Sequence, residues 1–300
     1  LSGELAALGA ALVWAAGGLM LKPLSARFHP LFLNEIRCIT AAFCFAAFLL
    51  ATGEFASAWQ VPIRSGAIAI AGTLIGLGVG ESFFVLSLRY IDLARAYPVS
   101  VCGYPLITLA LAFFFLHEEV SGLTLLGIVL VIGGLYLVAY PQGPLLAGFS
   151  PASSREKTGL LFVLLAVLTW GVATVAVKLG TQGLSLSVAN FVRLSGAAVL
   201  LAPFAFFRRV NVTVKNGAWR SLALAIANGA LTFGAGGVLF LLALQKSGAA
   251  LTSVLSSTSS LFLLPMAVLI LKERVTPKLV AGTILSVAGI CLTLLPGLIS

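Results

Sequence analysis

The chain has 300 residues, of which 60% are hydrophobic and only 9% charged, with a mean hydropathy of +1.12. That charge is too sparse to cover the surface of a soluble globular protein. The net charge of +9 does not indicate nucleic acid, because the basic residues flank long apolar segments and lack the clustering of a phosphate-binding face.

A helix crossing the ~30 Å hydrocarbon core needs about 20 apolar residues, and ten segments qualify. The first, 3–22, has no basic leader or small-residue cleavage site and reads as a true helix, not a signal peptide. Leu1 is not Met, so the natural chain is expected to begin upstream. Trp14 stands halfway along this segment, where its indole N–H needs a partner, and Lys22 ends it. Segment 31–52 opens with Asn34 and Arg37, three residues apart and so on one helix face. Segment 66–88 carries Gly72, Gly76 and Gly80, a spacing that favours close helix packing, followed by Glu81. Segment 94–116 carries Tyr97, Ser100 and Tyr104 at i, i+3 and i+7, one polar stripe, with Pro98 and Pro105 expected to bend the helix. Segment 122–141 closes the first half.

The second half repeats the first. Trp170, Lys178, Asn190 and Arg193 stand 156 positions after Trp14, Lys22, Asn34 and Arg37. They fall in segments 158–180 and 187–207. Segment 219–244 follows, with Gly237 at the position equivalent to Glu81. Segment 250–271 carries Ser253, Ser256, Ser257 and Ser260; three of them repeat the stripe of the fourth segment, and Pro265 lies beyond them. Segment 277–296 is the last. The offset drops to 155 after the fourth segment, where Glu118 matches Glu273 and Gly127 matches Gly282. The chain therefore divides into a first five-helix repeat (1–143), a linker (144–157) and a second five-helix repeat (158–300).

An odd number of helices per repeat inverts the second half in the membrane. The charges agree: 13 of the 18 Lys and Arg fall in or beside the connections after segments 1, 3, 5, 7 and 9, and three in those after segments 2, 4, 6 and 8. Those odd-numbered connections are expected to be cytoplasmic and both termini outside. Lys178 sits on the side poor in positive charge, so orientation does not account for it.

The ten segments in two repeats, the mid-segment Trp, the early Arg of the second helix and the Glu after the fourth (Glu118, Glu273) resemble the drug/metabolite transporter superfamily in its EamA-like branch. The resemblance covers essentially the whole chain. It implies an all-α integral membrane fold of ten transmembrane helices, two inverted-topology repeats around a central cavity. It implies export of amino acids or other metabolites, and the expected group exports aromatic amino acids. Related branches carry sugar phosphates or nucleotide sugars. The expected location is the bacterial inner membrane and the expected working unit a monomer.

Polar groups inside the bilayer are costly and usually face a cavity or another helix. Trp14, Tyr97, Ser100, Tyr104, Trp170, Ser253, Ser256, Ser257 and Ser260 are therefore the candidate substrate-binding residues. Packing glue between helices is the competing reading for the serines, and a satisfied interhelical hydrogen bond for the tyrosines. Arg37, Arg193, Lys178 and Glu81 are candidates for the pathway or for coupling. The arginines either tie helix ends together or grip a substrate carboxylate. Glu81 either couples export to protons or bonds a neighbouring helix.

There is no GxxxxGK[ST] motif for ATP, no HExxH, and one Asp and two His in the chain. No enzyme, cofactor or metal site is expected. The four cysteines lie inside apolar segments without CxxC spacing and read as small packing residues.

Overall fold

A computed structural model describes residues 2–91, 93–118, 121–139, 154–207, 218–259, 261–262 and 277–294. Ser260, Pro265 and Glu273, the side chains of Lys22, Tyr97 and Pro98, and most of the expected linker lie outside the described residues. The fold is all-helical, with no strand among the described residues. Its helices are α1 (Ser2–Ser25), α2 (Pro30–Ala51), α3 (Ile63–Thr73), α4 (Glu81–Ser87), α5 (Leu93–Leu116), α6 (Gly122–Ala139), α7 (Ser154–Thr181), α8 (Leu186–Phe207), α9 (Ala218–Asn228), α10 (Gly236–Ser257) and α11 (Pro277–Leu294). Six described stretches are long and apolar enough to cross a membrane, and three shorter apolar helices accompany them. Exposed apolar side chains such as Phe43, Phe113, Phe114, Val199 and Ile284 turn outward, as lipid contact requires.

Two of the expected segments are not plain α-helices. A π-helical stretch, Leu74–Gly80, joins α3 to α4, and a second, Gly229–Ala235, joins α9 to α10. A π turn holds one residue more than an α turn, and such turns concentrate at functional sites. The two occupy equivalent places in the two halves.

The end of the eighth expected segment and the start of the ninth run on as one element, α10, interrupted at Gly248 with φ 81° and ψ 171°. Glycine adopts that backbone without the steric cost of a Cβ. The chain turns there, so 236–247 and 249–257 are separate helical runs. α7 begins at Ser154, four residues inside the expected linker.

α1 lies along α10 and α7 along α3, α4 and the π segment between them; α2 meets α8, α5 meets α7, and α6 meets α11. The α6–α11 crossing is set by glycine. A Cβ on Gly134 would come within 2.5 Å of the Ser286 backbone nitrogen and 2.6 Å of the Gly282 carbonyl, whereas one on Gly133 would meet only Leu285 Cδ2 at 3.7 Å. Backbone that close cannot yield, so Gly134→Val is expected to lower the melting midpoint sharply, by the ~1–3 kcal/mol of overpacking or more. Gly133→Val, one residue away, is expected to be tolerated. Equal melting of the two variants in detergent would count against this crossing.

Candidate functional site

A cavity of about 240 Å³ opens between the two halves. It is walled by α1, α2, α5, α7, α8, both π segments and the helices around them; among the described residues, none of its lining comes from α6 or α11.

Its aromatic walls are built reciprocally. Trp14 of α1 lies against Phe240 of α10, with ring centroids 5.0 Å apart. Trp170 of α7 lies against Phe84 of α4 at 5.4 Å. Each indole is seated on a glycine of the opposite half: a Cβ on Gly236 would stand 2.8 Å from Trp14 Nε1, and one on Gly80 would stand 3.0 Å from Trp170 Nε1. The Trp14 N–H donates to the Thr232 carbonyl at 3.2 Å, a backbone group of the second π segment. A buried indole thus finds the partner it needs.

The polar stripes meet in the same space. Ser100 and Tyr104 of α5 line the cavity, as do Ser256 and Ser257 of α10. The Thr174 hydroxyl donates to the Trp170 carbonyl at 2.9 Å, so it accepts the 2.9 Å bond from the Tyr104 hydroxyl. Tyr104 therefore both faces the cavity and makes an interhelical bond. The hydroxyls of Ser256 and Ser257 return to the Ser253 carbonyl at 3.2 and 2.8 Å. Ser253 is buried and bonds back to Ala250, outside the lining.

Both arginines reach the cavity wall. Arg37 is 3% exposed and has four partners. Its Nη1 donates to Glu81 Oε1 at 2.9 Å and to Asn34 Oδ1 at 3.0 Å, and its Nη2 donates to Thr232 Oγ1 at 3.2 Å. The guanidinium carbon also stands 3.9 Å from the Phe233 ring centroid, within cation–π range. Glu81 lines the cavity beside it. Arg193, 5% exposed, donates from Nε and Nη2 to Asn190 Oδ1 at 3.0 and 2.6 Å. No ion pair is found for it among the described residues.

Lys178 does not line the cavity. Its ammonium donates to Glu118, which stands just beyond α5. The Glu118 carboxylate also accepts from the backbone N–H groups of Ala249 at 2.8 Å and Ala250 at 3.0 Å. Those amides open the helical run that follows the Gly248 turn, where the helix dipole favours an anion. A Cβ on Gly248 would fall within 3.0 Å of the carboxylate, and His117 adopts φ 51° just before Glu118. Burial raises the Glu118 pKa, but the Ala250 amide, Lys178 and the Ala249 amide outweigh it and hold the carboxyl below its ordinary value of 4.5.

Several residues of this site escaped the sequence reading. Phe84 and Phe240 are related by the 156-residue offset, which is the signal that identifies them. Thr232 and Phe233 fall opposite Gly76 and Leu77 at that offset, so the repeat does not mark them. Glu35, one residue after Asn34, is 1% exposed with Oε2 unpartnered, and it lies outside the cavity lining.

Comparison with known proteins gives a consistent family picture. A family model described as the EamA-like transporter family matches residues 1–140 and 157–295. An uncharacterized transporter from Archaeoglobus fulgidus is 25% identical over 238 residues, covering 79% of each chain. Multidrug resistance protein EbrB from Bacillus licheniformis is 31% identical over 74 residues, which are 25% of this chain and 62% of that one. One solved crystal structure superposes with a TM-score of 0.77 at 20% identity, covering 98% of this chain and 97% of the other; at that identity the likeness is one of fold.

Proposed function

Because the chain belongs to the EamA-like transporter family and is a multi-pass membrane transporter of small molecules, we propose that it exports amino acids with aromatic or large apolar side chains by alternating access. The observation that carries this reading is the cavity itself. Trp14, Trp170, Phe84 and Phe240 supply flat apolar walls, and Tyr104, Ser256 and Ser257 supply hydroxyls between them. Ligand sites of this kind, mostly apolar with few placed polar groups, suit a substrate with an apolar body and a polar end.

Alternating access needs two halves that rock about a central site. The helix pairings support that arrangement: exchanging the halves turns the α1–α10 pairing into that of α7 with α4 and α5, while α2–α8 and α6–α11 map onto themselves. An inverted ten-helix repeat produces such exchange symmetry. The positive-inside bias supports a reading with both termini outside the bacterial inner membrane, and a cavity formed within one chain fits a monomer as the working unit. No GxxxxGK[ST] motif occurs in the chain, so ATP is not the energy source within it.

The test is counterflow in proteoliposomes loaded with amino acids, nucleosides or sugar phosphates. Exchange of phenylalanine or leucine, with little of the phosphorylated compounds, is the expected result. A preference for sugar phosphates would overturn the substrate class.

A further inference from the structure

We propose that Arg193 is the anion-binding group of the cavity and that the substrate carries a carboxylate. This deepens the amino-acid reading above and rests on it for the apolar body of the substrate.

The argument comes from comparing two arginines at equivalent positions. Arg37 is neutralised and surrounded: Glu81 pairs with it, Thr232 accepts from it and Phe233 lies over it. Shifting those three partners by 156 gives the residues that would serve Arg193. Glu81 becomes Gly237, Thr232 becomes Gly76 and Phe233 becomes Leu77. The carboxylate, the hydroxyl and the ring are all missing. Only the asparagine is kept, and Asn190 accepts from Nε and Nη2.

Arg193 is nonetheless buried and lines the cavity with Gly237 beside it. A Cβ at Gly237 would already stand 3.0 Å from Arg193 Nη2. The guanidinium thus packs directly against the glycine that replaces Glu81, and no carboxylate from that position stands between it and the cavity. Asn190 takes one edge of the guanidinium and leaves N–H groups of Nη1 and Nη2 for another acceptor. Two parallel N–H groups on a planar fork match the two oxygens of a carboxylate. Among the described residues the charged side chains of the lining are Arg37, Arg193 and Glu81, a formal charge of +1. A buried guanidinium without a counter-charge is expensive, and an anionic substrate supplies the missing charge.

The test compares Gly237→Glu with Gly237→Gln in the full chain. Both add the same bulk beside Arg193, and only the first adds a carboxylate. Gly237→Glu is expected to melt at a higher temperature than Gly237→Gln, because it alone supplies Arg193 with a counter-charge. It is also expected to weaken binding of L-phenylalanine and 3-phenylpropionate about tenfold or more relative to Gly237→Gln. In the wild-type protein 2-phenylethylamine, which lacks the carboxylate, is expected to bind at least tenfold more weakly than either acid. Equal melting of the two variants, or tighter binding of the amine, overturns the anion site. If Gly237→Glu is the more stable variant and none of the three probes binds the wild type, the anion site stands and the amino-acid reading falls.

Discussion

Glu81→Ala is expected to cost roughly 3–5 kcal/mol of stability, because it strands the buried Arg37 guanidinium without a counter-charge. Glu81 retains 14% side-chain exposure toward the cavity, which favours the lower end of that range. Arg37 joins α2 to α4 and to the second π segment through Glu81 and Thr232, so loss of the pair loosens three elements at once. The double variant Arg37→Leu/Glu81→Leu removes both charges and is expected to recover much of the loss, since paired removal of buried ions is often near neutral. Melting in detergent of the two single variants and the double variant reads this directly. A double variant no more stable than Glu81→Ala would show that the pair does not act as a unit. The isosteric Glu81→Gln serves a separate purpose. If transport has a pH profile and Glu81→Gln leaves it unchanged, Glu81 is not the coupling group.

Glu118→Gln is expected to release the contact among the ends of α5, α7 and the helical run after Gly248. Hydrogen bonds to charged groups contribute about 1.5–3 kcal/mol, and this carboxylate accepts from Lys178 and two backbone amides. Under the alternating access proposed above, losing its charge is expected to shift the equilibrium between open and closed on that side by roughly tenfold to a hundredfold. Cysteine accessibility at Lys246, beside the Gly248 turn, measures the shift, and unchanged labelling would refute it. The pH dependence follows from the lowered pKa. A depressed carboxylate stabilises the folded form above its ordinary value of 4.5 and loses that contribution as pH falls through the lower folded value. Between pH 5 and 8 the contact is expected to stay closed, so any pH response of transport in that range originates elsewhere.

The sequence carried the broad plan because a membrane segment contrasts with what surrounds it. Trp14 and Trp170 stood out by their depth, Arg37 and Arg193 by their charge in apolar surroundings. Other parts had no such contrast. Phe84 and Phe240 are aromatic residues among many, and only the repeat offset marks them. The π segments arise from how a glycine-rich stretch meets a crossing helix, and a shift from i+4 to i+5 bonding leaves no residue pattern to read. Lys178 was an unexplained charge on the wrong side; its explanation, Glu118, lies 60 residues away in the other half. Pairing across that separation depends on tertiary register, which periodicity does not encode. Glu81 and Gly237 were visible as a broken equivalence, but its meaning needed the cavity that places Arg193 opposite the gap.

The seating of Trp14 on Gly236 and of Trp170 on Gly80 has a consequence for how the molecule assembles. Neither half contains the socket for its own tryptophan, so a half-length chain would enter the bilayer with an indole and a glycine notch both unfilled. Each such fragment would seek a second copy, and under the inverted arrangement proposed above the complementary fit comes from a copy facing the other way. The intact chain is in this sense a dimer with its partner built in: the linker keeps the second half always present at high local concentration, and the notches can be closed as the later helices arrive.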